Sequence, residues 1–230
     1  MRRAGGPGRR IIRLALLLAA GAALLLLLAQ LFLPGIAASR ISSRLGRYGS
    51  VKNVTVSAWP AVKLLWGGGG SATVTAGSLS LSPSQAAKLL WEARGLGRID
   101  LAASGVRLGS LRLTDARLSK RGGSLAAEAT ISQADVEAAL PRGLSLQLLR
   151  SEAGQVLVRA SGGLFGARSP VDAAAAASEG RLVVHPLGPP FESARLTLFA
   201  DPHVYVEGVG ASVRPGSPRS YRLTISARLR

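Results

Sequence analysis

The chain has 230 residues, with 29 basic residues against 12 acidic ones and no cysteine. The lack of cysteine excludes disulfides, thiolate metal sites and a cysteine nucleophile. Beyond residue 34 the basic residues are scattered, with no run of five or more. This spacing argues against nucleic-acid binding and suits attraction to an anionic lipid surface.

Residues 14–33 form the first predicted element, an uncharged apolar run that reads LALLLAAGAALLLLLAQLFL. As a helix it would be about 30 Å long, which matches the hydrocarbon core of a bilayer. Five arginines and no acid precede it. The sequence therefore predicts that residues 1–13 are a cytoplasmic flank and that residues 36–230 lie outside the cytoplasm.

Two interpretations of this apolar run stay open. Its length exceeds the core of about 7–15 residues usual in a signal peptide, which favours a retained transmembrane anchor. Against that, Gly35–Ser39 supplies small residues at which a signal peptidase could cut. With the anchor retained, the protein is expected to be a single-pass protein of the cell membrane with an extracytoplasmic C-terminal domain.

A short basic helix and two strands are predicted next. Apolar residues recur at roughly helical spacing across residues 36–48. Alternating apolar and polar residues then predict one strand at 54–58 and another at 72–81. Within the second strand the apolar phase slips by one residue at Gly77–Ser78, which predicts a β-bulge.

A helix is predicted to begin directly after this strand. Ser82 is a suitable N-cap, Pro83 suits the first helical position, and Gln85 completes a capping box. The helix is expected to run to about Arg94 and to stop at Gly95. Its apolar positions fall on one face: Ala86, Leu89, Leu90 and Ala93.

The pattern then returns to period two. Short strands are predicted at 99–103, 106–108, 111–113, 116–118 and 125–131. Lys120 to Gly123 is predicted to be a turn. A second helix is expected through Leu140, with Ser132 as its cap and Asp135 in the capping-box position.

The remainder is predicted to be almost entirely strand. The strands are expected at 144–148, 156–160, 171–177, 182–184, 194–198, 204–206 and 223–229. No βαβ alternation is evident, which favours antiparallel pairing. The predicted fold class is α+β: an N-terminal transmembrane helix followed by a long, curved, mainly antiparallel β-sheet with two or three short helices.

The predicted apolar face of the sheet mixes large residues with many alanines. Two helices are too few to cover so many strands, so the sheet must curl or leave an apolar trough. A trough lined by Leu, Val and Ala suits acyl chains, because each buried methylene contributes about 0.8 kcal/mol. The other interpretation is that the alanines let a second sheet pack closely.

Several segments resemble one protein family. Trp59-Pro60, the glycine run Gly67–Gly70 and SATVTAGSLSL are similar to the LmeA-like phospholipid-binding proteins of bacterial envelopes. IDLAASGVRLGSLRLTDARLS and LAAEATISQADVEAAL add to the likeness, which covers Ile36 to Pro186. One departure is Trp59, which stands where the family's aromatic-proline turn often begins with Gly-Phe.

The resemblance implies a fold similar to tubular lipid-binding domains, with residues 36–230 as a β-rich lipid-binding domain. It implies phospholipid, including inositol lipids, and the bacterial membrane as partners, with a role in maturation of envelope lipids or lipoglycans. Neither a cofactor nor nucleic acid is implied, and no protein partner is assigned.

Candidate lipid-binding residues fall into two groups. Six lie in an apolar loop that could dip into the membrane interface: Trp59, Pro60, Lys63, Leu64, Leu65 and Trp66. There Lys63 would meet lipid phosphate. The other interpretation, favoured because buried aromatics are commoner, is that the tryptophans close the end of the sheet. Eight lie on the predicted strands: Val74, Leu79, Leu81, Leu101, Val106, Leu108, Leu113 and Ile131.

No catalytic or metal site is predicted. His185 and His203 each lie beside a proline and have no third ligand at metal spacing. Gly67–Gly70 is followed by no Lys-Ser or Lys-Thr, and no G-x-S-x-G occurs. The alternative to lipid binding is a non-catalytic scaffold of the cell envelope with a solid core, and an enzyme is the weakest candidate.

Overall fold

The computed structural model describes residues 38–57, 70–140, 145–152, 154–161, 170–188 and 193–230. The predicted anchor at 14–33 and the loop from Trp59 to Trp66 lie outside these ranges. In the parts that are described, no helix has the length and apolar character needed to cross a bilayer.

The described chain forms three short helices and twelve strands. The helices are α1 (residues 38–46), α2 (Pro83–Glu92) and α3 (Gln133–Ala139). The strands of the first half are β1 (Gly49–Ser57), β2 (Ser71–Leu81), β3 (Arg98–Leu108), β4 (Leu111–Arg121), β5 (Ser124–Ser132) and β6 (Ser145–Glu152). Those of the second half are β7 (Gln155–Ser161), β8 (Val171–Ser178), β9 (Arg181–Leu187), β10 (Leu196–Phe199), β11 (Val204–Arg214) and β12 (Ser217–Leu229).

The first sheet has seven strands in the order β1-β2-β3-β4-β5-β12-β11. Its neighbours pair antiparallel except β2 and β3, which run parallel from the Ser71–Arg98 pair to the Leu81–Leu108 pair. The prediction that no βαβ unit occurs was therefore wrong. Sixteen residues separate Leu81 from Arg98, and α2 lies within them. This connection carries the chain back to the end of the sheet at which β2 begins, as a parallel pair requires.

The second sheet has five antiparallel strands in the order β10-β9-β8-β7-β6. The expectation of one long sheet was wrong, because the strands form two sheets. Strand β11 of the first sheet packs across the second sheet. The amides of Val206 and Val209 donate to the carbonyls of Gly180 and Gly154, at 3.0 and 3.1 Å. The amide of Ala211 donates to the Ser151 hydroxyl at 3.0 Å.

The predicted bulge near Gly77–Ser78 is confirmed. The β1–β2 register shifts between Gly49 and Asn53, opposite Thr75 to Leu79. The buried positions on β2 accordingly change phase: Ala72, Val74, Ala76 and then Leu79. β3 and β4 change phase at the neighbouring register positions. One face of the sheet therefore stays apolar along the whole length of these strands.

Helix α2 begins as its sequence predicts. The Ser82 hydroxyl accepts from the Gln85 amide, and the Gln85 side chain accepts from the Ser82 amide. Together these bonds form a complete capping box, with Pro83 at the first position. Buried Ala87 of α2 packs onto the apolar face of the first sheet, against Leu125, Val204 and Ala227.

The predicted turn at Lys120–Gly123 is shorter in the structure. Lys120 and Arg121 are the last residues of β4, and Gly122 and Gly123 alone make the connection. Gly122 has φ +58°, a left-handed conformation that glycine adopts without strain. The strand is longer because Lys120 and Arg121 continue the ladders to β3 and β5, and the Lys120 side chain is buried rather than solvated.

Candidate functional site

An apolar cavity of about 500 Å³ lies between the first sheet and helices α1 and α2. Strands β2, β3 and β4 supply one wall, and β5 and β12 extend it. The two helices supply the opposite wall. Leucine, isoleucine, valine and alanine make up most of this lining, so the cavity can hold hydrocarbon but offers few polar partners.

Seven of the predicted lipid-binding residues line this cavity: Val74, Leu79, Leu81, Leu101, Val106, Leu108 and Leu113. Ile131 lies apart from it, buried at the end of β5 opposite Tyr221. The six predicted residues of the Trp59–Trp66 loop lie outside the described residues. That loop leaves β1 at Ser57 and returns to β2 through Gly70.

The helical wall was not assigned to the site from the sequence. It consists of Ile41 and Leu45 on α1, with Ala86, Leu89, Leu90 and Ala93 on or next to α2. These residues share one face by helical spacing, and that periodicity was visible in the sequence. The sequence did not indicate that the apolar faces of α1 and α2 both point toward the first sheet.

Alanines serve different purposes in the two sheets. Ala72, Ala116 and Ala129 of the first sheet line the cavity. In the second sheet, Ala173 and Ala174 are almost completely buried on β8, a strand that packs against β11. Among the described residues, these alanines of the first sheet therefore line a cavity, whereas those of β8 lie at a close contact between the two sheets.

Few charged residues reach the cavity. The Arg44 guanidinium of α1 pairs with the Glu92 carboxylate of α2 at 3.0 Å, and both side chains line the cavity. Arg117 and Glu128 contribute on the sheet side, where Glu128 pairs with Arg222 at 3.2 Å. The Arg44–Glu92 ion pair therefore links the two helices that cover the cavity.

Lys120 binds the loop that lines one end of the cavity. Its ammonium donates to the carbonyl oxygens of Arg94, at 3.1 Å, and of Leu96. Gly95 and Leu96 line the cavity at this end. Lys120 has 0% exposed surface, and burial lowers the pKa of its ammonium. The buried cation thus fixes the loop that follows α2.

Trp91 lies outside the cavity lining. Its ring stacks on the His203 ring, with the ring centres 4.5 Å apart. The Arg94 guanidinium lies 4.3 Å from the centre of the Trp91 ring. This tryptophan therefore joins α2 to the start of β11 and offers no surface to a ligand in the cavity.

A larger cleft of about 790 Å³ lies on the opposite face of the same sheet. Hydroxyl and charged side chains line it, among them Thr73, Asp100, Arg117 and Thr224. Burying hydrocarbon there would remove water from these hydroxyl and charged groups, which costs free energy. The apolar cavity is therefore the better candidate for a lipid site, although it is the smaller of the two.

Metal binding has no support in the described ranges. No group of three or more His, Asp or Glu side chains there could hold a metal ion. His203 instead hydrogen-bonds Asp201, with its Nδ1 3.2 Å from the carboxylate.

The family model of LmeA-like phospholipid-binding proteins matches residues 27–229. The chain belongs to this family. The match extends on both sides of Ile36–Pro186, the range over which the likeness was recognised from the sequence. Among curated proteins and among solved structures, none matches the chain significantly.

Membership in the LmeA-like family supports lipid binding by this chain. The matched range includes all the strands and helices that line the apolar cavity. It also includes β11 and β12, which the sequence alone did not connect to the family. β12 contributes Leu223 and Ile225 to the cavity wall.

Proposed function

We propose that this protein holds the acyl chains of a phospholipid in the cavity between the first sheet and helices α1 and α2. The observation that carries the proposal is a cavity with an almost wholly apolar lining in a chain of a phospholipid-binding family. Its volume falls within the range of about 300–1,000 Å³ typical of small-molecule sites.

The energetics of this cavity favour hydrocarbon. Each methylene removed from water contributes about 0.8 kcal/mol, so about ten buried methylenes would contribute roughly 8 kcal/mol before the cost of ordering the chain. A solid-core scaffold would leave no such volume, so the cavity favours a lipid-binding protein over that alternative. No covalent step is proposed.

We further propose that residues 14–33 anchor this domain in the cell membrane, with residues 1–13 in the cytoplasm and the sheets outside. Support comes from the length of the apolar run and the five arginines before it. From this position the protein would supply lipid during maturation of envelope lipids or lipoglycans. Cells that lack the protein should then accumulate an immature envelope lipid or lipoglycan.

Filling the cavity tests lipid binding. Ala129 lines the cavity from β5, whereas Ala126 of the same strand lines the polar cleft on the other face. The full chain, purified in detergent, is expected to carry phospholipid on organic extraction and to take up fluorescent phospholipid. Ala129→Phe should reduce both several-fold, because the ring occupies the volume, and Ala126→Phe should leave both unchanged.

Two outcomes would contradict the lipid proposal. One is a wild-type protein that yields no phospholipid and takes up none, and the other is lipid binding by both alanine variants equal to that of wild type. Circular dichroism on each variant checks that a loss of uptake reflects the filled cavity and not unfolding.

The absence of cysteine gives a direct test of the anchor. A single cysteine at Ala4 and one at Ser124 can each be labelled in intact cells with a membrane-impermeant maleimide. Labelling at position 124 alone is expected, and the mass of the membrane-bound protein should include residues 1–33. Labelling at position 4, or a protein that begins near residue 36, would overturn the retained anchor.

A further inference from the structure

The arginines of the first sheet differ in their carboxylate partners, and Asp115 of β4 is paired with Arg214 at 3.3 Å. Where β4 turns into β5, Asp100 accepts from Arg98 and Arg121, each at 2.8 Å. Nearby, Glu207 is paired with Arg228. At the other end, where β3 turns into β4, Arg107 and Arg112 have no carboxylate within 4 Å among the described residues.

Arg107 and Arg112 are direct cross-strand partners in the β3–β4 ladder, and both are exposed. Like charges placed opposite each other destabilise a sheet, so fold stability does not explain the pair. A third cation, Lys52, lies further along the sheet on β1, where its Cε is 3.4 Å from the position that a Cβ on Gly77 would occupy. Arg107 and Arg112 together form what we call the basic tip.

The other face of this hairpin is apolar. Leu108 and Leu113, which alternate with the two arginines, line the cavity together with Leu81 of the neighbouring strand. The connection between β3 and β4 is Gly109–Ser110, which is exposed and uncharged. The hairpin therefore presents cations on one side and the hydrocarbon-lined end of the cavity on the other.

We propose that the basic tip docks onto an anionic phospholipid bilayer and brings the Leu81–Leu108–Leu113 end of the cavity to the lipid surface. This inference rests on the proposed lipid-binding function for the role of the cavity. Charge complementarity favours a bilayer with anionic head groups. The neighbouring leucines fit a membrane interface better than a nucleic-acid backbone, which is bound through extended basic surfaces.

Fluorescent labels at the two ends of β4 can distinguish which end meets the membrane. Ser110 and Ser124 are both exposed, and the eleven residues of β4 hold them about 35 Å apart. Ser124 lies at the sheet end from which the Trp59–Trp66 loop departs, since Arg121 pairs with both Arg98 and Ser124 and Arg98 pairs with Ser71. Because the chain lacks cysteine, Ser110→Cys and Ser124→Cys each give a single labelling site.

The full chain carrying either label is reconstituted in vesicles that contain lipids with spin-labelled head groups. The vesicles consist of phosphatidylcholine alone or with about one third phosphatidylglycerol. We expect strong quenching of the label at 110 in the anionic vesicles only, with weak quenching of the label at 124. High salt should reverse the quenching, because it screens exposed charges.

Removal of the two arginines gives the matched variants. Arg107→Ser with Arg112→Ser should lower quenching at 110 to the level of neutral vesicles. Arg181→Ser with Arg195→Ser, which removes two exposed arginines elsewhere in the chain, should leave it unchanged. Since Arg107 and Arg112 do not line the cavity, their variant should still take up fluorescent phospholipid from detergent micelles.

Failure of docking and failure of lipid binding are thus distinguishable. Equal quenching in neutral vesicles, stronger quenching at 124 than at 110, or full quenching in the double arginine variant would each overturn the docking proposal. So would a response of the label at 110 to duplex DNA but not to vesicles, which would assign the cations to nucleic acid. Loss of micelle uptake in wild type would instead overturn the lipid site.

Discussion

Lys120 occupies an environment that its residue type does not predict. It is a cation with 0% exposed surface near the end of β4, in a segment for which the sequence predicts a turn. Its ammonium meets the carbonyls of Arg94 and Leu96 just beyond the C-terminus of α2, where the helix dipole favours positive charge. Burial still disfavours the charged form, so the pKa of Lys120 is lowered.

Lys120→Met should destabilise the protein by about 1–3 kcal/mol, because two carbonyl groups lose a charged donor. Urea unfolding measures this, with Lys88→Met as the control, since Lys88 is an exposed lysine on α2. Equal midpoints for Lys120→Met and wild type would show that water replaces the ammonium without cost.

Asp100 gives the protein a defined dependence on acid. The side-chain hydrogen bonds from Arg98 and then Arg121 lower the pKa of Asp100 below its usual 3.8. Its contribution to stability is therefore complete above pH 3.8 and is lost as the pH falls through the lowered pKa that Asp100 has in the folded protein. Asp100→Asn should thus unfold more readily than wild type at pH 7.

The difference between Asp100→Asn and wild type should shrink as unfolding is measured at successively lower pH below 3.8. Glu179→Gln, at an exposed turn position, should match wild type throughout. A difference that stayed constant into strong acid would show that the aspartate acts through packing and not through its charge.

At the scale of elements, β11 connects the two halves of the molecule. It pairs with β12 in the first sheet and contacts the turns of the second sheet through Val206 and Val209. The turn between β8 and β9 fits closely under this strand. Gly180, with φ +78°, leaves no space for a side chain, since a Cβ there would lie 2.3 Å from the Tyr205 ring.

Gly180→Ala should destabilise the protein by about 1–3 kcal/mol more than Gly216→Ala. Gly216 has nearly the same backbone conformation, φ +76°, but has nothing within 4 Å of the added carbon. The comparison therefore separates the clash with Tyr205 from the backbone strain common to both variants. Thermal unfolding of the two variants measures the difference, and equal losses would mean that Tyr205 moves aside freely.

At the scale of the whole molecule, the cavity links ligand binding to stability. A ligand that binds only the folded protein stabilises it by about 2.7 kcal/mol at one hundred times its Kd. Phospholipid added to delipidated protein should therefore raise its unfolding midpoint, measured by calorimetry in detergent. Ala129→Phe should show a much smaller rise, and an equal rise would place the bound lipid elsewhere.

The sequence by itself determined the local features of this protein: the capping box at Ser82, the phase slip at Gly77–Ser78 and the leucines of the β3–β4 hairpin. Each depends on neighbours within a few residues, so pattern and turn chemistry suffice. Only the tertiary structure decided that β2 and β3 run parallel, that there are two sheets, and that Lys120 is buried. These outcomes depend on contacts between distant segments, such as α2 crossing the first sheet, which local periodicity does not encode.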